Sequence, residues 1–486
     1  MKRKTLKVTP WRQYFRTLLT LAITTLATIL YSAERPNVLL ILVDDAGYND
    51  FSFMGSKDFD TPHIDRLAES GVIFTDAHVS ATVCSPSRAG LITGRYQQRF
   101  GHENNVPPHT TGMDVEESTL GDVLGGVGYR TIVIGKWHLG NRSMYHPNTR
   151  GFETFYGFLE GARDYFPNPK VDDPENFRAM LDNRLQVDFE GYLTDVLTDR
   201  AIEEVQSEDS RPWFMFLSYN AVHTPMHAKK EDLKRFEGHP RQKLAAMTYS
   251  LDQNVGRMMS ALEASDQLDN TIVYFLSDNG GAGMNNNQSS NEPLKGWKGN
   301  KFEGGHRVPF IMSWPAEIEG GQHYDGLTSA LDIFSTSIAA AGLKETTGKP
   351  LDGVDLVPFL KGEEAGEPHE TLFWRKDQMA AVRKGAHKLV RLEGYGYRLY
   401  DLENDLGESV DLSDSKPDLL KEMAQDLTNW ERALVVPYWW EEERWTSVTY
   451  EIHRALMDNE EPRFRSPDEK EAYLQANPKK GKKSKH

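Results

Sequence analysis

Four short apolar runs, each ending in polar or charged residues, constrain the fold of this chain most strongly. They are NVLLILVDD, YRTIVIGKWH, PWFMFLSYNAVH and NTIVYFLSDNGG. A continuous apolar run of this length is typical of a strand that is buried on both faces. Helical patterns lie between the runs: TPHIDRLAESG has Pro62 in its first turn and Gly71 just past its end, and apolar residues recur at steps of three and four from Leu244 to Leu262. This alternation predicts the α/β class, with a mostly parallel central sheet flanked by helices.

The sequence pattern changes after about Leu360. QMAAVRKGAHKLVRL and YRLYDLENDLGES predict the two strands of a hairpin that turns around Gly394 to Gly396, and PDLLKEMAQDLTNWERAL predicts a helix. We therefore expect a larger α/β domain over residues 34–365 and a smaller C-terminal α+β domain over 366–475. The basic segment NPKKGKKSKH falls within a predicted unfolded tail, 476–486.

The N-terminus is typical of an export signal. Basic residues precede an apolar run from Leu18 to Leu30, and the small residues Ser32 and Ala33 follow it. The run is shorter than the roughly 18 residues of a spanning helix, so we expect residues 1–33 to be removed and no stable membrane anchor to remain. A periplasmic or secreted location follows. The formal charge of −16 argues against a nucleic-acid partner.

Acidic and amide side chains follow two of the predicted core strands. Asp44 and Asp45 end the first run, and Asp278 and Asn279 end the last. Ligands bind beyond the carboxyl ends of parallel strands, and oxygen ligands favour Ca²⁺ or Mg²⁺ over zinc. Either pair alone could cap the next element. Two acidic pairs at one sheet edge would repel each other without a cation, which favours a metal site.

Basic side chains are expected at the same edge. Lys136, His138, His223 and Lys298 together describe a pocket for an anion, although a single histidine at a strand end is more often structural.

Cys84, the one cysteine of the chain, precedes SPSRAGLITGR, which predicts a helix start with Pro86 in its first turn. A helix N-terminus and Arg88 would favour a thiolate nucleophile, and the alternative is a buried, inert cysteine. In an exported protein this cysteine has no internal disulfide partner.

CSPSR fits the CxPxR signature of the type I, formylglycine-dependent sulfatases, which have the alkaline phosphatase superfamily fold. From Asn37 to Glu408 further motifs resemble those of this family, in its order: NVLLILVDDAGYND, GKWHLG, NAVHTPMH, SDNGG and LKGWKGNKFEGGHRVPF. Within this family the chain resembles bacterial polysaccharide sulfatases.

The resemblance implies that a separate maturation enzyme oxidises Cys84 to formylglycine, whose hydrate is the nucleophile. It also implies that Arg88 holds the hydrate, that His223, with Lys298, protonates the leaving oxygen, and that His138 takes a proton from the second hydroxyl. The residues implied as Ca²⁺ ligands, with Mg²⁺ as the other candidate, are Asp44, Asp45, Asp278, Asn279 and the modified Cys84. The residues implied to hold the sulfate and manage protons are Lys136, His138, His223 and Lys298.

Two segments are candidates for substrate recognition. QQRFGHENNVPPH supplies the predicted substrate-binding residues His102, Glu103, Asn104, Asn105 and His109. VVPYWWEEERW supplies Tyr438, Trp439 and Trp440, which suit either sugar subsites or packing of the small domain.

We therefore predict an exported sulfatase acting on a sulfated carbohydrate. The resemblance favours algal ulvan or carrageenan oligosaccharides over animal glycosaminoglycans. Two alternatives stay open: a phosphodiesterase or phosphonate hydrolase of the same superfamily, and a catalytically silent protein that binds sulfated glycans.

Overall fold

The computed structural model describes residues 35–107, 110–173, 177–283, 287–344 and 348–477. The predicted signal segment, His109 and residues 478–486 of the predicted tail lie outside the described residues. Among the helices that are described, none is both long and apolar enough to cross a membrane.

The strands are β1 Asn37–Val43, β2 Val72–Phe74, β3 Ala77–His78, β4 Arg130–Lys136, β5 Thr154–Phe158, β6 Leu181–Asp182, β7 Leu185–Gln186, β8 Trp213–Ser218, β9 Thr271–Ser277, β10 Phe310–Ser313, β11 Gln322–Tyr324, β12 Thr328–Ser329, β13 Thr371–Lys376, β14 Met379–Lys384, β15 His387–Leu392 and β16 Gly396–Asp401. The α-helices are α1 Pro62–Glu69, α2 Cys84–Thr93, α3 Leu120–Gly125, α4 Leu193–Val205, α5 Lys230–Arg235, α6 Gln242–Ala264, α7 Glu303–His306, α8 Asp332–Ala340, α9 Val357–Leu360, α10 Pro417–Glu431, α11 Glu443–Met457 and α12 Pro467–Ala476.

The central sheet has ten strands in the order β11-β2-β10-β9-β1-β8-β4-β5-β6-β7. The four apolar runs form β1, β4, β8 and β9, which lie side by side with β5 and pair in parallel. Antiparallel pairing enters at β10 on one side and at β6 on the other. The prediction of a mostly parallel α/β sheet is confirmed. The carboxyl ends of four neighbouring strands therefore meet at one edge.

Both faces of this sheet are covered by helices. Along β1, Val38, Leu40 and Leu42 belong to the apolar core on one side, and the residues between them belong to the core on the other side. Helices α2, α3 and α8 contribute to the first core, and α1, α4 and α6 contribute to the second. Burial on both faces explains why β1 is apolar at every position after Asn37.

The small domain is an antiparallel sheet of four strands, β13 to β16. The predicted hairpin with a turn around Gly394 to Gly396 is confirmed as β15 and β16. The prediction of a single strand over QMAAVRKGAHKLVRL is wrong, because this segment forms two strands, β14 and β15. The chain reverses at Gly385 and Ala386, and Gly385 has a φ of +51°. Helix α10 packs against one face of this sheet and α11 against the other.

Candidate active site

The polar residues that follow β1, β4, β8 and β9 are brought together at the carboxyl edge of the sheet. Asp44 and Asp45 follow β1 directly, and the backbone N–H of Asp45 donates to Asp278 Oδ1 at 3.3 Å. Asp45 and His138 adopt left-handed backbone conformations, with φ of +63° and +58°. Such conformations are uncommon for residues other than glycine, which marks both positions as special points of the backbone at the strand ends.

Helix α2 places Cys84 and Arg88 against these strand ends. Val83 is extended, Cys84 is the first helical residue, and all ten residues of the helix are buried. Ser85 fixes the helix start, because its backbone N–H donates to Asn105 Oδ1 at 3.1 Å and its hydroxyl donates to the His138 carbonyl at 2.7 Å. The predicted helix at CSPSR is confirmed.

Arg88 is fully buried, and its guanidinium joins three strands. Its Nε donates to Asp278 Oδ2 at 2.9 Å, and its Nη1 donates to the Lys136 carbonyl at 3.1 Å and to Ser218 Oγ at 2.5 Å. Its Nη2 also lies 3.6 Å from Asp44 Oδ2. A planar, five-donor group is needed to make these contacts at once.

Cys84 lies between a carboxylate and an ammonium group. Its Sγ is 3.6 Å from Asp44 Oδ1 and 3.1 Å from Lys298 Nζ. Lys298 also contacts Asp45 Oδ1 at 2.6 Å, and Lys136 pairs with Asp44. Three carboxylates and three cationic side chains therefore surround the sulfur in this cluster: Asp44, Asp45 and Asp278, with Arg88, Lys136 and Lys298.

The structure argues against the thiolate that the helix N-terminus suggested. Burial raises the pKa of the Cys84 thiol to about 12, and this outweighs the neighbouring Lys136 and Lys298 charges. Burial therefore favours the protonated thiol over the thiolate. Burial opposes the ionised form of Asp45 as well, but the adjacent Lys298 charge holds the pKa of this carboxyl below its usual value.

Both histidines of the site are held neutral by burial. Burial lowers the pKa of His223 to about 4 and that of His138 well below its usual value. His223 Nδ1 lies 2.6 Å from the Thr224 carbonyl, so this nitrogen carries the proton, and Nε2 lies 3.5 Å from Asp45 Oδ2. Gly161 leaves room for the His138 ring, because a Cβ at this position would lie 2.6 Å from the ring atoms.

The residues present fit a divalent cation with oxygen ligands. Ligand atoms of Asp44, Asp45, Cys84 and His223 lie within 4.8 Å of one another, a group that holds two of the predicted carboxylate ligands but not Asp278, which pairs with Arg88. Asn279 Nδ2 is fixed by Asp45 Oδ1 at 2.8 Å and by the Gly280 carbonyl at 3.0 Å. Its Oδ1 is buried and has no hydrogen-bond partner within the part of the chain that is described. A buried acceptor without a donor, beside three carboxylates, matches the preference of Ca²⁺ and Mg²⁺.

The predicted substrate-binding residues divide into two groups. Asn104 and Asn105 lie on the wall of the cavity above the site. His102 and Glu103 are buried behind it: the Ser85 hydroxyl accepts from His102 Nε2 at 2.7 Å, and Glu103 pairs with Arg375. These two therefore offer almost no surface to a ligand in this structure.

The cavity has a volume of about 520 Å³, and Asp45, His223 and Lys298 line its floor. Trp440 lines its wall, whereas the Trp439 indole N–H donates to the Asn105 carbonyl at 2.9 Å and the ring packs on His102. Tyr438 lies to one side, with its hydroxyl 3.2 Å from Asp114 Oδ2. Of the three aromatic residues, Trp440 is the one that suits a subsite, and Trp439 packs.

Sequence reasoning missed the polar residues that position the site. Ser218 is the last residue of β8, and its hydroxyl donates to the Lys136 carbonyl at 2.7 Å while accepting from Arg88. The place of Ser218 at the end of an apolar run could have identified it as a site residue from the sequence. Ser85 carried no comparable signal, because its partners lie in distant segments, and Thr224 carried none, because it acts through a backbone carbonyl that any residue would supply.

Comparisons with known proteins agree with this arrangement. The family model described as Sulfatase matches residues 36–343. The N-acetylgalactosamine-6-sulfatase of Mus musculus is 33% identical over 379 residues, which cover 73% of this chain and 72% of that protein. A crystal structure described as Ps i-CgsB in complex with k-i-k-neocarrahexaose is 35% identical and has a TM-score of 0.80, covering 87% of this chain and 98% of that one.

A more distant structure, the phosphonate monoester hydrolase of Agrobacterium radiobacter, shares the fold with a TM-score of 0.61 at 22% identity, covering 82% of this chain and 96% of that chain. At this identity the likeness concerns the fold alone. The family model and the closer relatives carry the assignment, and they agree with a buried cysteine set among carboxylates and cations. The chain belongs to the sulfatase family and is a sulfuric ester hydrolase.

Proposed function

We propose that this sulfatase is an exported enzyme that hydrolyses sulfate esters of carrageenan-type galactan oligosaccharides, with Cys84 converted to formylglycine and Ca²⁺ bound beside it. The observation that carries the chemistry is the position of Cys84: its sulfur is buried directly behind the cavity floor, 3.1 Å from Nζ of the lining residue Lys298 and 3.6 Å from Asp44 Oδ1. A protonated thiol is a weak nucleophile, so this position favours a cysteine that is modified before it acts.

The charges of the site suit a sulfate ester. Three carboxylates and three cationic side chains cancel, so the side chains alone give the pocket no net charge. When bound, Ca²⁺ would add two positive charges and, with formylglycine at position 84, would supply an activated hydroxyl nucleophile. Two positive charges match a monoanionic ester together with one ionised hydroxyl.

The side chains around Cys84 have separable roles in this proposal. Lys136 and Lys298 would spread the charge of the sulfuryl oxygens, and Arg88 would hold the hydroxyl groups at position 84. The Thr224 carbonyl accepts from His223 Nδ1, so Nε2 is unprotonated before the substrate binds. Lys298 Nζ would hold the proton for the leaving oxygen, and His223 Nε2 would do so only once the anionic ester has raised the pKa of this histidine. His138 would accept a proton when the product leaves.

The carbohydrate assignment is supported by the relatives. The structure with a TM-score of 0.80 was solved in complex with k-i-k-neocarrahexaose, and the murine relative is named for a sulfated galactosamine. Both point to galactose-configured substrates, so we place carrageenan ahead of ulvan. Export is proposed on the basic and apolar pattern of residues 1–33.

Protein produced with a formylglycine-generating enzyme tests the chemistry. We expect mass spectrometry of the peptide containing Ala81 to Arg88 to show the aldehyde, and we expect release of sulfate from aryl sulfates and carrageenan oligosaccharides. The Cys84→Ala variant is the matched control and should release none. Faster turnover of an aryl phosphodiester than of an aryl sulfate would favour the phosphodiesterase alternative. An unmodified cysteine in this protein would favour the silent glycan-binding alternative.

A further inference from the structure

The wall of the active-site cavity differs in chemistry from its floor. The floor carries Lys298 and His223, and the outer wall carries Asn104, Trp440, Glu442 and the Lys376–Glu441 pair. We infer that the outer wall binds an uncharged, hydroxyl-bearing sugar ring. The enzyme therefore selects a sulfated sugar whose neighbouring sugar, on the side of the departing alcohol, carries no sulfate. This inference rests on the proposed function and concerns its substrate class.

Trp440 provides an apolar face for a sugar ring. Its side chain is 59% exposed, it lies on the cavity wall, and Trp445 lines the same cavity. An exposed tryptophan at a cavity of about 520 Å³ presents a flat surface of the size of a pyranose ring. Its neighbour Trp439 is buried by packing, which holds the segment in place.

Asn104 provides an acceptor that has no partner. The residue is only 2% exposed, and its Nδ2 donates to Asp377 Oδ1 at 3.0 Å, which fixes the orientation of the amide. Its Oδ1 is buried and lacks a hydrogen-bond partner among the described residues. Asn104 lines the cavity, and a small outward movement of its amide would let a sugar hydroxyl donate to this oxygen.

The charge of the outer wall opposes a second sulfate. Lys376, the cation on this wall, is matched by two carboxylates, Glu441 at 2.6 Å and Asp377 at 3.4 Å. Glu442 adds a further, exposed carboxylate to the cavity lining. Among the residues that line this wall, the two carboxylates Glu441 and Glu442 outnumber the one cation, Lys376, so an anionic group placed there would meet repulsion.

Defined oligosaccharides that differ by one sulfate on the neighbouring ring test the inference. With mature wild-type enzyme, we expect kcat/KM to be about tenfold higher when that ring is unsulfated, from repulsion by the surplus carboxylates. Equal values, or a preference for the sulfated neighbour, would overturn the inference while sulfate release still supports the proposed function. Failure to release sulfate from any of these substrates would contradict the proposed function instead.

Substitutions on the wall locate the effect. Glu442→Gln should lower the preference for the unsulfated neighbour about threefold by removing one repulsive charge, whereas Glu443→Gln, next in the chain but lining an adjacent cavity, should leave it nearly unchanged.

Trp440→Ala should raise KM for the substrate with an unsulfated neighbour about tenfold, and Trp440→Phe should raise it less. Tyr438→Ala is the matched control, because Tyr438 is 57% exposed and contacts Asp114. An equal effect of Tyr438→Ala and Trp440→Ala would refute a ring-binding role for Trp440.

Discussion

Lys388 is a fully buried cation between two domains, and its removal should destabilise the protein strongly. Its Nζ lies 2.9 Å from Glu303 Oε1, 2.9 Å from Glu408 Oε1 and 3.1 Å from His306 Nε2. One lysine is thus the shared counter-ion of two buried carboxylates. Burial opposes ionisation of Glu303, but Lys388 holds its pKa well below the usual value, whereas burial raises the pKa of Glu408 to about 7.

The magnitude follows from what Lys388→Met would leave behind. Removing one partner of a buried ion pair costs about 3–5 kcal/mol, because the remaining charge has lost both water and its counter-ion. Here two carboxylates lose their shared cation, although Glu303 keeps Arg307 at 3.4 Å and Glu408 keeps the backbone N–H of Glu303 at 2.8 Å. We therefore expect a loss of about 4 kcal/mol at pH 8. Lys384→Met is the control, since Lys384 pairs with Glu422 and Asp426 near the surface and should cost less than about 1 kcal/mol.

Urea unfolding followed by tryptophan fluorescence measures the free energy of unfolding of Lys388→Met and of Lys384→Met. The double variant Lys388→Met with Glu408→Gln should regain at least about 1 kcal/mol of the stability lost in Lys388→Met. In the wild type, protonated Glu408 contributes to the free energy of unfolding, because its pKa is higher in the folded state than in the unfolded state. This contribution is complete below the pKa of the unfolded state and is lost as the pH rises through about 7. The stability of Glu408→Gln relative to wild type should therefore rise as the pH is raised from 5 to 8. Equal costs for Lys388→Met and Lys384→Met, or no recovery in the double variant, would refute the reasoning.

Three further predictions concern the site and the domain junction. Arg88→Lys should lower kcat at least about a hundredfold, because one ammonium group cannot contact Asp278, Ser218 and the Lys136 carbonyl together; near wild-type turnover would contradict this. Removal of divalent cations by a chelator should lower the melting temperature by about 5 °C and abolish sulfate release, and Ca²⁺ should restore both; an unchanged melting curve would argue against the metal site. Burial opposes protonation of His369, but Asp332 at 2.7 Å raises its pKa, so the stability difference between wild type and His369→Gln should be largest below pH 6.5 and shrink at higher pH, as measured by urea unfolding.

The main sheet and much of the site were predictable because they depend on local patterns. Runs such as NVLLILV are apolar at nearly every position, so they indicate strands buried on both faces, and parallel strands carry their polar residues to one edge. Asp44, Lys136 and Asp278 therefore could be placed together without knowledge of the strand order. Gly385 was overlooked because a two-residue turn inside an alternating pattern looks like continuous strand, which is why one predicted strand became two.

Other features were beyond prediction because they depend on distant segments. Lys388 lies in HKLVRL, where a lysine is typical of an exposed strand face, yet it is fully buried. Its burial depends on Glu303, 85 residues earlier in the chain, and on Glu408. The same holds for His102, whose polar neighbours suggested a binding loop but whose ring packs behind the cavity against Trp439.

Both domains contribute residues to the cavity, so we expect the junction between them to affect substrate binding as well as stability. The floor residues Asp45, His223 and Lys298 belong to the large domain, while Lys376 and Trp440 on the outer wall come from the small domain and the segment that follows it. The Trp374 indole N–H donates to the Val79 carbonyl at 2.7 Å, and its ring stacks on His306 at 3.9 Å, beside Lys388. Since these contacts hold the small domain in place, loosening them would displace the outer wall while leaving Cys84 and its neighbours in position. Lys388→Met should therefore raise KM for oligosaccharides more than it lowers kcat for a small aryl sulfate, and the reverse pattern would show that the junction supports the floor instead.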